Sequence, residues 1–262
     1  MPDDLGEDAF LDGRSMPEGF GEDALLDGRV RLLQRAGGHR AGTDAVLLAA
    51  ASPVRAGDRV LDVGAATGAV GLMIAARQPA AFFVFVERDP VQAALCWRNL
   101  ALNGVAGEVA ELDLLERRSW GPAGLVPEAA DLVVTNPPYL DAAQARVSPD
   151  PGRANAHVLP EGGIEVWLRA CATLLKPKGR LVLVHRADAL APILSALGKG
   201  FGGVSLRFVH PSAERPAVRL LLAATKGSRG PLGVEPPLVL HRADGRFTPQ
   251  AAALHRGEAT LA

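Results

Sequence analysis

The residues best suited to chemistry are Asn136-Pro137-Pro138-Tyr139, which follow the apolar run Leu132-Val133-Val134. Neither proline has an N–H, and each pushes the residue before it out of the helical region. A short buried strand therefore ends in a rigid corner carrying an amide side chain, main-chain carbonyls and an aromatic ring. Such a corner suits a planar group that bears an NH2, because the carbonyl oxygens accept from its N–H groups and the ring stacks on its flat face. A proline loop that only ends a strand is the other reading.

Three more clusters carry compatible chemistry. Arg59-Val-Leu-Asp62-Val-Gly64-Ala65-Ala66-Thr-Gly68 reads as strand, glycine turn and helix start, with the pattern D-x-G-x-x-T-G. Gly64 permits a sharp turn and Gly68 a close approach of ligand to backbone. The turn suits a pyrophosphate or a nucleoside, although a plain strand–helix turn has the same pattern. Glu87 ends the next strand 19 residues after Gly68, the spacing at which an acid meets a ribose diol. Asp113-Leu114 follow a third strand, the acid suited to an adenine amine and the leucine to its ring face.

Elements must hold these clusters in place. The pattern predicts strands at about 59–63, 81–86, 107–111, 130–135, 180–184, 204–210 and 217–225. Helices are expected at about 70–77, 90–103, 162–175, 187–198 and 249–256. Alternating apolar and basic residues around Gly37-Gly38 predict a basic hairpin over 29–41, with Thr43 capping a helix that runs to about Ala51 and Asp44 on its positive end. Strict alternation of strand and helix gives an α/β fold, a doubly wound mostly parallel sheet with helices on both faces. Its ligands bind at the carboxyl ends of the strands, so all four clusters line one crevice. An irregular loop over 140–160 carries Arg153, Asn155 and His157 just after the proline corner.

Charge divides the chain. Residues 1–30 hold nine acids and two arginines, a net of −7, while residues 31–262 carry +6. The segment Met1–Arg14 recurs as Met16–Arg29, with ten of fourteen positions identical. The expected organisation is an acidic, duplicated arm over 1–28, mobile in part, with residues 1–15 a tandem copy or an upstream start. One domain follows over 29–262: the hairpin at 29–42, the core sheet at 59–225, and a tail at 226–262 packed on the body. A mildly basic body is compatible with an RNA partner, and Arg35, His39 and Arg40 with Arg153 and His157 are the candidate RNA contacts. Two cysteines without metal-type spacing point away from a metal site or a disulfide framework and toward a cytoplasmic protein. No apolar run is long enough to span a membrane. Nothing in the sequence speaks to oligomeric state.

Over residues 40–225 the order and spacing of these motifs resemble the class I S-adenosylmethionine-dependent methyltransferases. Within that class, Gly38-His-Arg-Ala-Gly-Thr-Asp-Ala-Val-Leu-Leu48, the loop with Arg153 and His157, and Asp244-Gly-Arg-Phe-Thr248 resemble the bacterial tRNA adenine-N6 methyltransferases that act beside the anticodon of valine tRNA. The resemblance implies a Rossmann-like sheet of seven strands with the last antiparallel, and S-adenosyl-L-methionine as donor. It implies that Asp62, Gly64, Ala65 and Gly68 shape the methionine-side pocket, with Thr43 and Asp44 at its amino-acid end. Glu87, with Arg88 beside it, would hold the ribose, and Asp113 and Leu114 the adenine. Asn136 and Pro137 would accept from the target NH2 at the donor's edge, with Pro138 stiffening the corner and Tyr139 stacking on a flipped-out base. Ala66 departs from the family, which usually has glycine there. Alanine fits at negative φ and is strained at positive φ. The same proline motif serves glutamine methyltransferases of release factors, which usually carry a helical domain before the sheet, and a guanine-N2 rRNA enzyme shares the chemistry. A nicotinamide dehydrogenase would show G-x-G-x-x-G and leaves the corner unexplained. A non-catalytic RNA-binding relative is the reading from another class.

Overall fold

The structure, a computed structural model, describes residues 19–35, 41–138 and 162–261. Strands and helices come in the order β1 (Phe20–Leu25), β2 (Val30–Arg35), α1 (Thr43–Ala50), β3 (Arg59–Val63), α2 (Ala69–Arg77), β4 (Phe82–Glu87), α3 (Pro90–Asn103), β5 (Gly107–Glu111) and β6 (Ala130–Thr135). After the undescribed loop come α4 (Gly163–Leu174), β7 (Leu175–Arg186), α5 (Leu190–Leu197), β8 (Phe201–His210) and β9 (Arg219–Lys226). Two short strands, β10 (Gly233–Val234) and β11 (Leu238–Val239), and helix α6 (Pro249–His255) complete the chain.

Seven strands form the body of one sheet in the order β8-β9-β7-β6-β3-β4-β5. β9 alone among them runs antiparallel to its neighbours. β10 and β11 add to β8 in parallel, so the sheet has nine strands rather than the expected seven. The alternation is also less strict than expected. Only a single 3-10 turn at Arg117–Ser119 stands between β5 and β6, and a turn without a helix joins β8 to β9.

The central strands are largely apolar, broken in β3 by the buried Asp62, because helices cover both their faces. Alternate residues feed opposite layers. Val60, Phe83, Phe85, Leu132, Val134 and Val182 pack with α1, α2 and α6, whereas Leu61, Val63, Val84, Val133 and Leu183 pack with α4 and α5. From β3 the chain builds outward through β4 and β5, then returns to the other side of β3 as β6. The β3–β6 seam is therefore the topological switch point, where such sheets bind ligands. In register, Val63 stands beside Val86 on one side and Thr135 on the other. Gly64 and Asn136 thus leave the sheet side by side.

The entry hairpin is not the expected one. β2 pairs with β1 before it, in a register that sets Leu25 opposite Val30. Leu26, Asp27 and Gly28 all have positive φ and make the turn. The glycine pair at 37–38 lies outside the described residues. Two asparagines decide the docking. Asn99 Oδ1 accepts from Leu33 N at 2.7 Å and its Nδ2 donates to Leu33 O at 3.0 Å. One turn later, Asn103 repeats the pattern on Arg31 at 2.9 and 2.7 Å. These two amides offer β2 what a neighbouring strand would. Residues 1–18 of the acidic arm lie outside the described residues.

The tail runs back along the sheet. Leu240 N donates to His210 O at 2.9 Å and Leu261 N to Ala50 O at 2.8 Å. Thr248 Oγ1 accepts from Ala251 N at 3.2 Å and caps α6, which buries Ala251 and Leu254. Among the described residues no helix is long and apolar enough to cross a membrane.

Candidate active site

β3 ends in the glycine turn. Gly64 N and Ala65 N both donate to Val86 O, at 2.9 and 3.0 Å, and tie the turn to β4. Gly64 has φ +72° and Gly68 has φ +85°. Gly68 is the N-cap of α2. A methyl group there would stand 2.7 Å from Cys96 Sγ, so glycine is required to let α2 and α3 close on each other. Ala66 has φ +48°, the strained alternative. Its N–H donates to Glu87 Oε2 at 2.8 Å, which offsets part of that strain. Ala66→Gly is expected to raise unfolding free energy by about 1 kcal/mol, because only the left-handed penalty is removed. Urea unfolding measures this, and a lowered midpoint would show that alanine sits there without strain.

The acids divide between structural and open roles. Asp62 is 3% exposed, and its Oδ2 accepts from Gly71 N at 2.8 Å. Burial pushes its carboxyl up to about 7; the Gly71 N–H opposes that shift and the Glu87 charge adds to it. Glu87 gathers three main-chain donors, Ala66, Arg88 and Asp89, each at 2.8 Å. Burial nevertheless holds its carboxyl above the usual carboxylate range. Asp113 Oδ1 accepts from Leu115 N at 2.9 Å, and its Oδ2 lies 4.0 Å from Arg88 Nη1. The ends of β4 and β5 thus present Glu87 and Asp113, with Asp62 buried near the end of β3 against α2. Glu87 is aimed over the glycine turn, where a ribose diol would compete for its oxygens. That donor set fits a nucleoside laid across the three strand ends.

On the other side of β3, β6 ends in Thr135, which is wholly buried, then in Asn136 and Pro138, both half-buried, with Pro137 buried between them. Thr135 Oγ1 donates to Val63 O at 2.8 Å. Trp167 Nε1, from α4, donates to Thr135 Oγ1 at 3.0 Å. His185 of β7 is 2% exposed beneath the proline corner. Burial lowers its pKa, against main-chain contacts to Arg186 and Pro138 that raise it, so the ring is neutral at pH 7.

Several expected residues take other places. Thr43 does not cap α1. Gly42 is the N-cap, and its carbonyl accepts from Ala45 N at 3.1 Å. Asp44 is held by Arg219 Nε at 2.9 Å. Leu114 is 3% exposed and packs in the core with Trp120, so its side chain does not wall an open pocket. The partly buried Leu115 is its more open neighbour. In the basic entry cluster, Arg31 pairs with Glu22 at 2.6 Å and Arg29 donates to the Arg256 carbonyl, and both residues are exposed. Arg35 is exposed at the end of β2, with its guanidinium 5.9 Å from the centroid of Phe20. His39, Arg40, Tyr139, Arg153 and His157 lie outside the described residues. Among the described residues no cluster of three or more His, Cys, Asp or Glu side chains is arranged to hold a metal ion.

Thr135, Trp167, His185 and Asn99 were not legible as site residues. Asn99 Nδ2 also donates to Thr67 O at 2.9 Å, so it links the hairpin to the glycine turn. Only its spacing of four from Asn103 hinted at a shared helix face.

Comparison with known proteins bears on this arrangement. The family model described as the methyltransferase small domain matches residues 40–207. The chain is 32% identical to the tRNA1(Val) (adenine(37)-N6)-methyltransferase of Aeromonas hydrophila, over 80% of this chain and 85% of the relative. It is 30% identical to the protein of the same name from Porphyromonas gingivalis, over 82% and 86%. Among solved structures, one described as a predicted O-methyltransferase from Agrobacterium tumefaciens matches with a TM-score of 0.69 at 33% identity, covering 83% of this chain and 98% of that one.

Proposed function

Because the chain belongs to the methyltransferase small domain family, we propose that it is an S-adenosylmethionine-dependent enzyme that methylates N6 of an adenosine in tRNA, beside the anticodon. The observation that carries the reading is the placement of Asn136-Pro137-Pro138 at the switch point, one strand from the glycine turn. The names of the curated relatives support the substrate.

S-adenosylmethionine supplies, when bound, a methyl group already activated by a sulfonium. Asp62 and the turn Gly64–Gly68 would line its amino-acid side, Glu87 its ribose and Asp113 its adenine. Asn136 Oδ1 and the Pro137 carbonyl accept from the acceptor NH2. Two acceptors on that amine draw lone-pair density onto nitrogen and stabilise the positive charge that grows there. No strong general base is required, because a methylated amine in that state loses its proton readily. Placing donor and acceptor in line accounts for much of the rate. His185, neutral beneath Pro138, adds no charge that would oppose the nitrogen's own.

The test incubates the full chain and labelled donor with total tRNA, total rRNA and release factor in separate reactions, then digests the labelled RNA to nucleosides. Label in tRNA as N6-methyladenosine is the expected result. Label confined to protein would replace the base with a glutamine amide, and label in rRNA guanosine would replace adenine.

A further inference from the structure

Trp167 makes none of the donor or acceptor contacts above, yet it packs over Gly64 of the glycine turn and bonds Thr135, the residue before Asn136. α4 brings its indole over Gly64, where a methyl group built on the glycine would stand 3.2 Å from Cζ2 and 3.4 Å from Cη2. The same edge of the ring donates from Nε1 to Thr135 Oγ1 at 3.0 Å, and that hydroxyl donates in turn to Val63 O at 2.8 Å. Val63 and Thr135 are register partners and the last residues of their strands. Gly64 follows one, Asn136 follows the other.

The main-chain ladder between β3 and β6 ends at that pair. Beyond it, the backbone bonds of the glycine turn run to Val86 of β4, away from β6. The side chains of Trp167 and Thr135 therefore bridge the seam at the level where the two loops part. Thr135 is 0% exposed, so its hydroxyl has no water to turn to, and it is committed as acceptor from the indole and donor to the carbonyl.

We infer that Trp167 is a positioning residue that sets the glycine turn and the Asn136 corner relative to each other. This rests on reading the turn as the donor half and the corner as the acceptor half. The physical reason is sensitivity: a displacement of about 1 Å between reacting groups costs on the order of 100-fold in rate. The bridge is one hydrogen bond deep, so its loss is expected to cost about tenfold.

The test uses the full chain labelled with 5-fluorotryptophan, with the Trp167 fluorine resonance assigned by its loss in Trp167→Phe. Adding S-adenosylhomocysteine is expected to shift that resonance, and Thr135→Val to shift it without ligand. Single-turnover transfer to tRNA is expected to slow about tenfold in Trp167→Phe and in Thr135→Val, and the double variant should be no slower than the worse single one. Donor affinity should stay within about threefold, and Thr135→Ser, which keeps the hydroxyl, within about twofold of wild-type rate. Wild-type rates in both single variants would overturn the positioning role and leave the function intact. A loss confined to donor affinity or to melting temperature would overturn it too, by showing a wall or a packing residue. A wild-type chain that transfers methyl to no acceptor would sink the functional reading and the positioning role with it.

Discussion

Asn136→Ala is expected to lose turnover by about 100- to 1000-fold while donor affinity stays near wild type. The size follows from removing one preorganised polar partner of a developing charge. The direction follows from geometry. Asn136 leaves β6 beside the glycine turn, but Glu87 and Asp113, the acids proposed to face the donor's ribose and adenine, end β4 and β5 on the far side of β3. Substituting the amide therefore removes an acceptor of the target NH2 and leaves those contacts in place. Calorimetric titration with S-adenosylhomocysteine and single-turnover transfer to tRNA separate the two effects. Turnover near wild type would mean that the Pro137 carbonyl suffices and that the side chain has been given the wrong role. Loss of donor affinity instead would place Asn136 on the donor's side of the crevice.

Asp62→Asn is expected to flatten the pH dependence of stability. In the folded chain the Asp62 carboxyl is raised from 3.8 to about 7, chiefly by burial. The folded state therefore binds more protons than the unfolded state between those values. Stability contributed by this group falls as pH rises through that window, and the cost is complete above it. That difference corresponds to about 4 kcal/mol. Asparagine keeps an oxygen for Gly71 N and carries no charge to bury, so the variant should equal or exceed wild type at pH 8. Urea midpoints from pH 4.5 to 8 in both proteins test this, and parallel curves would show that Asp62 is ionised across the range. A cationic donor favours the charged carboxylate. Its affinity should rise with pH toward 8 in wild type more steeply than in Asp62→Asn.

Much of the donor half was legible because its chemistry is local. A glycine turn after an apolar strand and an acid 19 residues on are consequences of one strand–helix–strand unit, whose length is set by short connections. The proline corner was legible for a different reason. Prolines restrict their own backbone and that of the residue before, so Asn136 is presented at a strand end whatever surrounds it. The parallel sheet with helices on both faces followed from alternation, and the seven-strand core with its antiparallel β9 came with the family resemblance.

The misreadings share a cause. Residues 20–41 hold two turn signals, Asp27-Gly28 and Gly37-Gly38, and local pattern cannot rank them. Asn99 and Asn103, far along the chain on α3, hold β2 in place. Leu114 looked like a pocket wall because it follows an acid at a strand end, yet it lies in a core cluster with Trp120, which belongs to a turn with no periodicity to read. Ala66 illustrates the same limit in one residue. Its identity was plain, but the sign of φ, which turns a harmless exchange into a strained one, depends on the path of the whole loop.

The amino-acid sequence by itself therefore determined the candidate site groups and their order: an amide on a proline corner and three acids near three strand ends. Their types are fixed by chemistry and their spacing by single supersecondary units. Only the tertiary structure decided how the two halves meet. β6 lies next to β3 rather than β5, Thr135 reaches Val63, and Trp167 from a later helix spans the seam. Strand order and the side chains that cross it are set by how the layers close over a common core, and that closure couples residues with no periodic relation in the chain.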